Sequence, residues 1–118
     1  MTPNELSERL LRFAVRIGVL IEAISDTRLG RHVSGQIVRC GTAGGPNYEE
    51  GCAAESRADF VHKLQIVLKE LRETRYWLRF IVAAKLLPAP QVKDLLAECC
   101  ELCDIIGKSV ATAKSRRS

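Results

Sequence analysis

Residues 57–85 read RADFVHKLQIVLKELRETRYWLRFIVAAK. Phe60, Leu64, Val67, Leu71, Thr74, Leu78 and Ile81 recur there at steps of three and four. At about 100° per residue such steps fall on one face of a helix. Ser56, with Asp59 three residues on, forms a start signal close to the capping box. Pro88 and Pro90 end the run, because proline lacks the N–H that a helix interior needs. A long helix with one apolar face must bury that face against other helices.

The flanking segments supply them. Downstream, Val92, Leu95, Leu96, Cys99, Leu102, Cys103, Ile106 and Val110 predict a helix over about 90–113, with Asp94, Glu98, Glu101 and Asp104 as its solvated acidic face. Residues 114–118 read as a basic disordered tail. Upstream, Leu6, Leu10, Phe13, Ile17, Leu20 and Ile24 predict a helix over about 5–25. Asp26-Thr27 then offers a cap, and Leu29, Val33 and Ile37 begin a helix over about 28–55, kinked near Gly44-Pro46. Four such helices with short connections predict an all-α, antiparallel up-down four-helix bundle, one domain over residues 1–113.

Composition agrees and excludes several functions. Of 118 residues 47% are hydrophobic and only 5% aromatic, which suits a helical domain and not a disordered chain or a β-sandwich. No apolar run approaches the ~20 residues that span a bilayer, and charges at Glu5, Glu8, Arg9, Arg12 and Arg16 are unlike a signal peptide. A cytoplasmic protein with no membrane partner is expected. Five cysteines, at 40, 52, 99, 100 and 103, are an odd number with no paired CxxC, so they read as plain thiols; neither metal nor other cofactor is implied. Gly44-Gly45-Pro46 has no strand before it and no GK[ST] after it, unlike a phosphate loop. An enzyme would have to pair Glu50 and Glu73 with His62 in a concave pocket, which a tight bundle lacks; interhelical hydrogen bonding is the preferred role.

Two features point outward from the bundle. Leu11, Val15 and Val19 form a second apolar stripe nearly opposite the first on the opening helix, which calls for burial against another subunit. Trp77, off the core stripe on a flank with Ile66 and Ile81, has the character of an interface anchor. Leu11, Val15, Val19, Ile66 and Trp77 are therefore the candidate oligomer interface. Charge is also uneven within a net +4. Residues 60–87 hold six basic and two acidic side chains, and residues 28–48 hold three arginines and no acid. Arg72, Arg75 and Arg79 share a helical stripe with Lys69 nearby; Arg31 and Arg39 add to it from the second helix. Such a stripe neutralises phosphates of RNA or DNA without reading bases. The alternative is salt-bridging to Glu50, Glu73 or the acids of the last helix, which would leave a protein-interaction scaffold with no nucleic-acid binding.

The stretch from Arg39 to Leu78 resembles the bacterial four helix bundle proteins, also called the 23S rRNA-intervening-sequence protein family. The resemblance is carried by Arg39-Cys40-Gly41-Thr42, Asn47-Tyr48-Glu49-Glu50, Ala54-Glu55-Ser56-Arg57-Ala58-Asp59-Phe60-Val61-His62-Lys63-Leu64 and Arg72-Glu73-Thr74-Arg75-Tyr76-Trp77-Leu78. Cys40 stands where serine is usual, and Ala43 replaces a small polar residue. The resemblance implies an antiparallel four-helix bundle, often assembled as a homo-oligomer in a pentameric ring. A distantly similar bundle in diversity-generating retroelements is a basic pentamer that binds nucleic acid and reverse transcriptase, and fold-level analogy extends that partner class here.

Overall fold

The computed structural model describes residues 1–116. Its helices are α1 Pro3–Glu22, α2 Arg28–Gly41, α3 Gly44–Cys52, α4 Arg57–Ala83 and α5 Ala89–Ser115, with no strand among the described residues. Because α2 and α3 are joined with a bend of 16°, they make one corner of a four-helix bundle. The break follows from Pro46, whose missing N–H is harmless only in the first turn of a new helix.

Hydroxyls start three of the helices. Thr2 Oγ1 accepts from the Glu5 N–H at 3.1 Å, Thr27 Oγ1 from Gly30 at 2.9 Å, and Ser56 Oγ from Asp59 at 3.1 Å. Each bond satisfies a donor that the first helical turn leaves without a partner. At the other end of α4, Leu86 N–H donates to Ile81 O and Lys85 N–H to Val82 O. These are the two bonds of a Schellman ending, and they hold Lys85 at φ 58°, a left-handed conformation usually taken by glycine.

α1 and α4 occupy diagonal corners. The α2–α3 pair and α5 stand between them, each packing on both, in a rod of 51 × 21 × 20 Å. Phe13, Ile17, Ile37, Leu64, Leu71, Leu78, Ile81, Leu102 and Ile106 fill the axis. Gly41 lets α2 approach α1 closely: a Cβ there would stand 3.0 Å from Ile17 Cγ1 and Cγ2. Thr74 is the buried polar residue of the core face, and its Oγ1 donates to the Glu70 carbonyl at 2.8 Å.

Three details depart from the sequence reading. Leu29 is exposed, because Gly30 is the residue of that turn that faces inward. Glu98 is not part of a solvated face; it turns toward α1 and pairs with Arg9. Buried Ala113 keeps the last turn of α5 on the bundle, so Lys114 and Ser115 are helical rather than tail. Arg117 and Ser118 of the expected tail lie outside the described residues.

Candidate nucleic-acid interface

Along α4, Lys69, Arg72 and Arg79 are exposed and Arg75 is half-buried. Their three- and four-residue steps keep them on one side of the helix. None of the four takes part in an ion pair among the described residues. Most of the acids that were candidates to neutralise them are engaged elsewhere, Asp94 and Asp104 of α5 being the two that hold no cation among the described residues. Lys63 Nζ holds Glu50 at 2.7 Å, Arg39 holds Glu70 at 3.3 Å and also Glu73, and Arg9 holds Glu98 at 2.8 Å and Glu101 at 3.0 Å. At the α5 end of the stripe, Arg79 and Lys93 flank a groove of about 600 Å³ floored by Val82, Ala83, Ala89, Pro90 and Leu96. Lys93 escaped sequence reading because its neighbour lies on another helix.

Arg31 and Arg39 of α2 do not join the stripe. Arg31 donates to Asp26 at 2.8 Å, and Arg39 spends its guanidinium on Glu70 and Glu73. The Arg39 hydrogen bond holds the Glu73 carboxyl below the usual carboxylate range, and the Trp77 indole reinforces it. Trp77 Nε1–H donates to Glu73 Oε2 at 3.2 Å, and the indole meets His32 of α2 edge-on at 6.0 Å. The indole also meets Tyr76 edge-on at 5.2 Å, and Tyr76 lies 6.4 Å from Phe80. Tyr76 is 55% exposed and sits within the cation stripe, four residues after Arg72 and three before Arg79. Sequence reading did not assign it a binding role, although an aromatic interleaved with basic residues was the available signal.

Leu11, Val15 and Val19 are 56%, 59% and 69% exposed in the single chain, so the second stripe of α1 has no cover within the bundle. Ile66 and Trp77 are half-buried. Glu50, Glu73 and His62 do not come together. Glu50 and Glu73 are taken by cations, and His62 and Glu73 are separated by eleven residues, or about 16 Å of helix rise. Cys40, Cys99 and Cys103 are buried, with Cys99 Sγ donating to the Leu71 carbonyl at 3.3 Å. Among the described residues no three His, Cys, Asp or Glu side chains converge as a metal site, and no helix is long and apolar enough to cross a membrane.

Residues 4–108 match the model of the 23S rRNA-intervening sequence protein family. The chain belongs to that family. A solved structure similar to it is that of a protein with unknown function from the S23 ribosomal protein family of Bacteroides thetaiotaomicron. The two are 33% identical, with a TM-score of 0.83, over 89% of this chain and 97% of that one. No curated protein matches the chain significantly. The match to the 23S rRNA-intervening sequence proteins takes in α1 through most of α5, and so all four corners of the bundle.

Proposed function

We propose that this protein is a non-enzymatic accessory protein that assembles with copies of itself and presents the cations of α4 to the phosphates of RNA or DNA. The observation that carries the reading is that Lys69, Arg72, Arg75 and Arg79 lie together on one side of α4 and are all free of ion pairs among the described residues, whereas Arg31 and Arg39, the other cations expected to join them, are paired with carboxylates. Salt-bridged arginines would have little charge to offer a phosphate; these retain theirs. Assembly supports the same reading. One stripe offers about four phosphate contacts, a weak handle at physiological salt, whereas copies in a ring add their stripes through effective concentration. The uncovered Leu11, Val15 and Val19 provide an apolar face on which copies can associate, with five copies as the number the resemblance implies.

The test is a salt series with mixed-sequence RNA and DNA. Log affinity should fall steeply with log salt, and an Arg72/Arg75/Arg79→Ala triple variant should bind more weakly with a flatter slope. A triple variant that binds like the parent chain would remove the phosphate role and leave a protein-interaction scaffold.

A further inference from the structure

We infer that the α4 face is built for single-stranded polynucleotides, with Tyr76 as a stacking platform for an unpaired base between the phosphate contacts of Arg72 and Arg79. The inference rests on the proposed nucleic-acid role of the same stripe and adds the class of strand. A stripe that only neutralised duplex phosphates would need no aromatic in its midst. Here the centre of the stripe is a ring 55% exposed, with cations one turn before it and one turn after. The cation at each side is free of ion pairs among the described residues.

The ring is also held in place. Trp77 stands edge-on to it at 5.2 Å, with an interplanar angle of 80°, and Phe80 lies 6.4 Å away. Trp77 is itself fixed by Glu73, and Glu73 by Arg39. A tyrosine oriented before the ligand arrives loses little side-chain entropy on binding, which favours it as a platform over a mobile surface ring. Base stacking on an aromatic accepts any base, because every base has a π-face. It is closed to a duplex, whose bases are already stacked on one another. Phosphates tracked by the flanking guanidiniums and a base laid on the ring make up the general pattern of single-strand recognition. RNA and DNA share that chemistry.

The experiment uses the full chain with a mixed-sequence 20-nucleotide strand as RNA, as DNA and as the matching DNA duplex, at one salt concentration and then across a series. Single strands should bind about tenfold tighter than the duplex. Tyr76→Ala should remove that advantage without changing the salt slope, since no cation is lost, and Tyr76→Phe should retain it. Circular dichroism should show both variants as helical as the parent chain, because the residue is largely outside the core. Duplex bound as tightly as single strand, or a single-strand advantage that survives Tyr76→Ala, would overturn the inference while leaving the phosphate role intact. Absence of binding to all three polynucleotides would overturn both. Comparison of the RNA and DNA strands identifies the source: equal affinity assigns recognition to base faces and phosphates alone, and a tenfold gap assigns an additional sugar contact beside the stack.

Discussion

Arg9 and Glu98 meet fork to fork between the neighbouring helices α1 and α5: Arg9 Nε donates to Glu98 Oε2 and Nη2 to Oε1, each at 2.8 Å. The pair ties α1 to α5 across 89 residues of sequence, and Nη2 also reaches Glu101 Oε2 at 3.0 Å. Both side chains are mostly sheltered, Arg9 at 18% and Glu98 at 17% exposure. A bidentate pair so placed is stronger than the usual surface ion pair.

Removing one member should therefore cost stability. Glu98→Gln is expected to lose about 1–3 kcal/mol at pH 7, because the guanidinium keeps its sheltered position with only the exposed Glu101 as counter-charge. The hydrogen bond from Arg9 holds the Glu98 carboxyl below its ordinary value of 4.5. A carboxyl with a depressed folded pKa stabilises above the unfolded value, and that contribution fades as pH falls through the folded one. Urea midpoints for parent and variant should consequently converge as pH is lowered from 7 toward 3. A gap that stays constant over that range would mean the ion pair contributes nothing.

Two backbone positions give opposite signs. Lys85→Gly should stabilise by about 0.5–1 kcal/mol, since glycine takes the left-handed conformation at this helix end without steric cost. Gly41→Ala should destabilise by about 1–3 kcal/mol, because the new methyl would press on fully buried Ile17. Thermal melts of the two variants settle both; a neutral Gly41→Ala would show that the α1–α2 contact has slack.

Val15→Glu separates assembly from folding. Val15 is 59% exposed in the single chain, so the variant should keep the parent's helical circular dichroism. In an oligomer packed through α1, the same change buries a charge without a partner and should shift light scattering to the mass of the monomer. Loss of helicity would place the stripe in the core. Unchanged mass would remove it from the interface.

Thiol reactivity should follow burial. A small aromatic disulfide reagent applied to the native protein at pH 8 is expected to modify Cys52 fastest and half-buried Cys100 more slowly, leaving Cys40, Cys99 and Cys103 protected until denaturant is added. Burial pushes the Cys40 thiol up, which lowers its nucleophilic fraction further. Five fast equivalents in the native state would contradict the packing of α5 on α4.

The sequence alone determined that the chain is four helical corners, two of their starts and most of their inner faces, Leu29 being the exception that Gly30 displaces. A 3.6-residue period and a hydroxyl before an apolar run are local signals, set by backbone geometry and by donors within one turn, and Thr27, Ser56 and the stripe from Leu64 to Ile81 all appear as that logic requires. Even the second stripe of α1 was legible, since Leu11, Val15 and Val19 are too apolar for water and lie opposite the core side. Only the tertiary structure decided which charges remain available. Whether Glu98 belongs to solvent or to Arg9, whether Arg39 faces phosphate or Glu73, and whether Arg79 gains Lys93 as a neighbour all depend on which helices lie side by side. Coulombic partnership acts over a few ångströms in space and is indifferent to distance along the chain, so no spacing rule within one helix contains it.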